Sequence, residues 1–265
     1  MNLYDCHVHS TFSTDGESNI EEMVSFARHL ELTGITFTDH LDLDYPGMES
    51  DFQLDFDEYF TQLRKLKNRY KNSLSIYIGV ESGIQPHIAD ATTRLIKDRP
   101  FDFVINSTHI VKGQDVYCPN FFTDKIKKEA YTEYLEEIYN NIQIFEDYDI
   151  LGHFGYITRY APYSDTAIEY KDYADIFDNI FKLLISLGKG IEFNTRDYSC
   201  LNTHLDTDIF KRYHELGGEI LTIGSDAHNC KNIGKNFKKI LPVIKDSGFN
   251  YLSFFDKREV KFYKI

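Results

Sequence analysis

The sequence predicts an α/β fold in which seven parallel strands, joined mostly through helices, form a closed or nearly closed barrel. Short β-rich runs alternate with longer amphipathic segments for almost the whole length. The runs are spaced widely enough for right-handed βαβ crossovers, which imply a parallel sheet. Polar residues suited to metal binding stand at or just past the ends of nearly all of the predicted strands. Periodicity alone leaves a doubly wound open sheet as the alternative.

The first strand is read over Leu3–His7 and leads to a helix in which Ile20, Met23, Val24, Ala27 and Leu30 recur on one face. Ser18 or Asn19 is placed to cap that helix, with Glu21 and Glu22 in its first turn. A second strand over Gly34–Thr38 is followed by a helix over about Phe56–Tyr70, and a third strand over Ser75–Val80. The fourth strand is Phe101–Asn106, with a helix from about Asp124 to Phe145 after it. Asp149–Gly152, Gly190–Asn194 and Glu219–Gly224 are the last three strands, separated by helices over Tyr173–Leu187 and Thr207–Leu216. Gly188 and Gly217 stand where those two helices must stop. The aromatic and basic segment Tyr251–Ile265 suits a final hairpin covering the barrel.

A chain of 265 residues with 42% hydrophobic and 15% aromatic content can bury a substantial core. No Pro/Gly/Ser-rich stretch or charge run divides it, so one domain over residues 1–265 is expected. The net charge of −13 argues against nucleic acid as a partner. A small anionic substrate stays compatible, because bound metal reverses the sign locally. Cys6, Cys118, Cys200 and Cys230 form no C-x-x-C pair and read as free thiols in a reducing cytosol. The N-terminus lacks a signal-peptide pattern and no apolar run is long enough to span a membrane, which predicts a cytoplasmic protein with no membrane partner.

The first strand ends in His7-Val8-His9, the second in Thr38-Asp39-His40 and the third in Val80-Glu81. Later strands end in Ser107-Thr108-His109, Gly152-His153 and Ser225-Asp226-Ala227-His228. In a parallel barrel all these ends lie on one face, where active sites of such folds are built. The pairs His7/His9 and Asp226/His228 alternate by two, so both members of each pair point the same way. Imidazoles mixed with carboxylates suit zinc, manganese or iron better than calcium or magnesium alone. His29 and His214 fall in helices, and His87 and His204 in loops or helix starts. These four read as solvated surface groups.

This order of motifs resembles the PHP family, named for polymerase and histidinol phosphatase: an H-x-H, a T-D-H, a Glu, two separate His and a late D-x-H, covering residues 7 to 228. The resemblance implies a distorted (β/α)7 TIM-like barrel and is strongest to the stand-alone histidinol-phosphate phosphatases. It implies two or three divalent metal ions (Zn, Mn or Fe). One would be bound by His7, His9, Glu81 and Asp226, and a second would share Glu81 and add His109 and His153. The third would take His40, His228 and Asp15, where some members carry histidine in place of Asp15. Asp226, His228 and His40 are also the candidate catalytic side chains.

The expected activity is hydrolysis of a small-molecule phosphomonoester, L-histidinol phosphate, by attack of a metal-bridging hydroxide. Arg159 and Arg196, just beyond strand ends, are the candidate phosphate clamps, because a guanidinium offers fixed bidentate geometry. Asp39 is placed to orient a ligand histidine, and Asp42 and Asp44 read as a plain acidic loop. Other esters (nucleotide, sugar phosphate, phosphotyrosine) use the same metal chemistry, and a non-catalytic metal-binding module is the reading from a different class. No lysine stands at a strand end, which disfavours the amidohydrolases that bridge their metals with one.

Overall fold

The structure, a computed structural model, describes residues 3–47, 54–198 and 206–265; Cys200 and His204 lie outside them. All seven predicted strands form: β1 (Tyr4–Val8), β2 (Gly34–Phe37), β4 (Ser75–Gly83), β5 (Phe103–Ser107), β8 (Ile150–Leu151), β9 (Gly190–Asn194) and β10 (Leu221–Gly224). They run in the order β1-β2-β4-β5-β8-β9-β10, every pair parallel. A short extra strand, β3 (His40–Asp42), pairs with the far end of β4. The small β6 (Ile110–Val111) and β7 (Gln114–Asp115) make a hairpin of their own after β5.

The ring is nearly closed by backbone contacts between β1 and the segment after β10. Val8 bridges Ala227, Asp226 N donates to His7 O at 2.9 Å, and His9 N donates to Ala227 O at 2.8 Å. Asp5 fastens the seam from inside: its buried carboxylate accepts from Ser225 N at 2.9 Å, Ser225 Oγ at 2.5 Å and Gly234 N at 2.8 Å. An open doubly wound sheet would have neither contact set.

Helices α1 (Ile20–His29), α2 (Phe56–Tyr70), α4 (Lys127–Ile144), α5 (Ala174–Ser186) and α6 (Asp208–Glu215) lie where periodicity places them. Ile20, Met23, Val24 and Ala27 of α1 are buried, and Asn19 with Glu22 forms a capping box that satisfies orphan amides at its start. Gly188 and Gly217 end α5 and α6 at φ +67° and +96°, where a Cβ is strained. Two further helices, α3 (Ala89–Ile96) and α7 (Phe237–Asp246), carry weaker signals. α3 is only two turns long, and α7 holds Pro242 in its interior.

The final segment is a hairpin of β11 (Tyr251–Asp256) and β12 (Glu259–Lys264). It packs under the N-terminal ends of the strands: Phe254 stacks on Tyr4, and Phe255 stacks on Phe103. Its turn is anchored there too, with Arg258 N donating to Asp102 O at 2.9 Å and the Arg258 guanidinium gripping Asp147 and Asp149. The opposite end of the barrel, where the strands terminate, stays open for chemistry.

Candidate metal centre

Every predicted metal ligand lines one region at the C-terminal ends of the strands. Glu81, late in β4, is its centre and is fully buried. Its Oε2 lies 3.3 Å from Nε2 of both His7 and His9, and 3.0 Å from His40 Nδ1. Oε1 lies 2.8 Å from His153 Nε2 and 3.4 Å from His109 Nε2. Asp226 Oδ1 lies 3.4 Å from His9 Nε2 and 3.5 Å from His228 Nδ1. At the more open rim, Asp15 Oδ2 is 2.9 Å from His228 Nε2 and 3.7 Å from His40 Nε2. Asp226 adopts a left-handed φ of +52°, a strained conformation of the kind that gathers at functional sites.

Several imidazoles have one nitrogen committed outward. His7 Nδ1 donates to Glu192 Oε1 at 2.7 Å, and His109 Nδ1 donates to Asp42 Oδ1 at 2.7 Å. His9 Nδ1 is 3.2 Å from Ser13 Oγ, which itself donates to Asp39 Oδ1 at 2.8 Å. In the neutral ring each Nε2 is then the lone-pair atom, and it points inward. Yet His7 Nε2 and His9 Nε2 are only 3.0 Å apart and share Glu81 Oε2 as a neighbour. Buried lone pairs facing one another are costly unless a cation lies among them. Four overlapping triplets of donor atoms, each within 4.8 Å, repeat this arrangement: His7/His9/Asp226, His7/Glu81/His153, His9/His40/His228 and His40/Asp42/His109. The donor set fits a cluster of divalent metals.

On His7, His40 and His109 burial opposes charge, but the carboxylates of Glu192, Glu81 and Asp42 outweigh it and hold all three above the ordinary histidine range; a metal bound there displaces those protons. Burial opposes ionisation of Glu81, but the imidazoles of His7, His40, His153 and His109 outweigh it and hold the carboxyl well below its ordinary range. Burial, reinforced by His40 and His228, keeps His9 well below the usual histidine value and hence neutral, the form that ligates.

Both predicted arginines reach the cavity. Arg159 is partly buried, pairing with Asp197 Oδ1 at 2.5 Å and Asp226 Oδ2 at 2.8 Å, while its Nη2 has no hydrogen bond. Arg196 is half exposed, with Nη1 3.5 Å from Asp226 Oδ1 and 3.3 Å from His228 Nδ1. Gly155 is needed beside them, since a Cβ would stand 2.6 Å from Asp197 Oδ2.

Asp42 departs from the solvated loop expected of it. It sits on β3, buried against Gly83, where a Cβ would fall 1.6 Å from its Oδ1. Asp44 is the exposed acid, paired with His87 at 2.7 Å. Asp39 grips Ser10 and Ser13 and reaches a ligand histidine only through Ser13. Glu192 was not assigned a role by the motifs; the signal available was a carboxylate inside the apolar run of β9, which an unpaired charge does not tolerate. His29, His87 and His214 are exposed, as read from the sequence.

Comparison with known proteins places this geometry. A PHP domain model matches residues 5–196. A histidinol-phosphatase of Lactococcus lactis subsp. lactis is 36% identical over 262 residues, 98% of this chain and 97% of its own. A relative in Clostridium acetobutylicum is 35% identical over 264 residues, 98% of this chain and 99% of its own. The crystal structure of the Lactococcus histidinol phosphate phosphatase, complexed with zinc, L-histidinol and phosphate, superposes with a TM-score of 0.93 at 34% identity, covering 98% of this chain and 99% of that one.

Proposed function

The chain belongs to the PHP family, and on that premise we propose that it is a metal-dependent phosphomonoesterase hydrolysing L-histidinol phosphate to L-histidinol and inorganic phosphate. What carries the reading is the match over 98% of the chain to an enzyme solved with zinc and both products, at a TM-score of 0.93. The reaction places the protein in histidine biosynthesis, as a single-domain cytoplasmic enzyme acting on a small molecule. No helix among the described residues is long and apolar enough to cross a membrane.

His7, His9, Glu81 and Asp226 would hold one metal, with Glu81 shared toward His109 and His153 for a second, and His40, His228 and Asp15 for a third. When bound, the metals supply Lewis acidity that activates water and neutralises phosphoryl charge. The protein's own groups do the rest. Arg159, fixed by Asp197 and Asp226, aims its unbonded Nη2 as a donor for a phosphoryl oxygen. Arg196, on the exposed side, is placed to donate to a second phosphoryl oxygen. Asp226, His228 and His40 line the same cavity as the two arginines and would flank the reacting bond. Glu192 and Asp42 set the tautomers of His7 and His109.

The test is phosphate release from L-histidinol phosphate by protein purified without chelator, against a panel of other phosphomonoesters. L-histidinol phosphate is expected to exceed every other ester by orders of magnitude in kcat/KM. Comparable turnover of another ester would sink the substrate assignment and keep the chemistry. Arg196→Ala is expected to raise KM and lower turnover, together costing about tenfold or more in kcat/KM.

A further inference from the structure

A cavity of about 390 Å³ opens on the β9 and β10 side of the metal centre, and no part of the proposed reaction uses it. Arg196, Asp226 and His228 line both this cavity and the recess over the metal ligands, so the two spaces meet at those side chains. Its outer wall comes from the loop after β10 and the first turn of α7, with Asn229, Asn232, Lys235, Asn236 and Lys239.

That wall is rich in donors. Arg196, Lys235 and Lys239 are cations, and the asparagine amides add further N–H groups. Two carboxylates answer them. Asp226 is already shared, accepting from Arg159 at 2.8 Å and facing the imidazoles of His9 and His228. Glu17 is exposed, and Asn229 Nδ2 donates to its Oε2 at 3.3 Å. Lys235 Nζ donates to the neutral Asn232 Oδ1 at 3.2 Å and, among the described residues, forms no ion pair. On a chain of net charge −13 this surplus of positive charge is local. It is also built in. Buried Thr195, the neighbour of Arg196, donates from Oγ1 to Lys235 O at 2.8 Å, and Gly234 N donates to Asp5 Oδ2 at 2.8 Å. These two bonds fix the backbone of Lys235 against the ends of the strands.

We propose that this cavity is a second oxyanion site, which receives the phosphate product from the metal centre on its way out. The inference rests on the phosphomonoesterase reading and extends it from the bond broken to the route of release. Arg196 is the member common to both positions: half exposed, it reaches Asp226 and His228 and stands on the same wall as Lys235. An ion held strongly at one site departs faster when a weaker site adjoins it. Lysines suit the weaker site, because an ammonium meets an oxyanion as a point charge, without the bidentate geometry of a guanidinium.

The experiment titrates inorganic phosphate, by calorimetry, into the metal-loaded wild type and the double variant Lys235→Gln/Lys239→Gln. Both lysines are exposed, so their removal leaves the core intact. Two phosphates per chain are expected in the wild type and one in the variant, with the tighter constant unchanged. The same count in both proteins overturns the proposal. Lys235→Arg/Lys239→Arg keeps both charges and is expected to restore the second phosphate; failure to restore it overturns the role of charge and the proposal with it. Inhibition kinetics on the wild type need no variant. Phosphate at the metal centre alone competes with the ester, whereas phosphate in the outer cavity also binds while ester occupies the centre. Mixed inhibition is therefore expected in the wild type, and its effect on kcat should need at least about tenfold more phosphate in the double Gln variant. Purely competitive inhibition of the wild type overturns the proposal. If two phosphates bind while L-histidinol phosphate is not hydrolysed, the substrate assignment fails and the second site stands. If L-histidinol phosphate is hydrolysed and one phosphate binds, the second site fails alone.

Discussion

Five imidazoles converge on the carboxylate of Glu81. Glu81→Gln keeps the shape and removes the charge, so it is expected to empty the centre of metal and abolish turnover. Metal content by plasma mass spectrometry alongside phosphate release checks this; full occupancy in the variant would refute the bridging role. Glu192 acts at one remove, through His7 Nδ1. Glu192→Gln should weaken metal binding by roughly 10- to 100-fold while leaving the fold intact, read as a shift in chelator competition. Gly224 guards this contact, because a Cβ there would stand 2.2 Å from Glu192 Oε1 and 2.5 Å from the His7 Cβ. The candidate ligands were legible in the sequence, since H-x-H, T-D-H and D-x-H keep their spacing whatever surrounds them. Asp42 and Glu192 were not, because their roles depend on partners 67 and 185 positions away in the chain.

Among the elements, strands and long helices follow their periodicity closely; α2 falls over Phe56–Tyr70 as read. β3 was invisible because three residues carry no period, and its existence depends on pairing His40–Asp42 with Glu81–Gly83. The cap of α1 makes a local prediction: Asn19→Ala removes acceptors for Glu21 N and Glu22 N and should cost about 1 kcal/mol by urea unfolding. A pH test belongs to the pair α5 and α6. Asp178 on α5 accepts from Arg212 Nε at 2.9 Å and Nη2 at 2.7 Å, and from Tyr170 Oη at 2.8 Å. Arg212 first, then Tyr170 and Lys182, lower its carboxyl below the ordinary range against a smaller effect of burial. A group lowered in the folded state stabilises above its unfolded pKa of about 3.9 and loses that contribution as pH falls through and below it. The fall in urea midpoint between pH 6 and pH 3 should therefore be smaller in Asp178→Asn than in the wild type. Equal falls would show that the pair contributes nothing.

At the scale of the whole molecule, chemistry and stability occupy opposite ends of the barrel. Metal ties strand ends drawn from His7 to His228, so chelation should lower Tm by roughly 5–10 °C for each site held at about 100 times its Kd. Differential scanning calorimetry with and without chelator measures this. The hairpin works from below: Arg258→Ala would strip Asp149 of its cation while the carboxylate stays buried. A loss of about 2 kcal/mol is expected by urea titration, with phosphate release near wild type at 25 °C because the far end is untouched. The seam that closes the ring joins Val8 to Ala227, almost the full length of the chain apart. During synthesis, therefore, β1 leaves the ribosome with one edge unpaired and keeps it so until β10 has followed. That waiting edge is a ready template for a neighbouring nascent chain, and its exposure time is set by translation speed more than by thermodynamics.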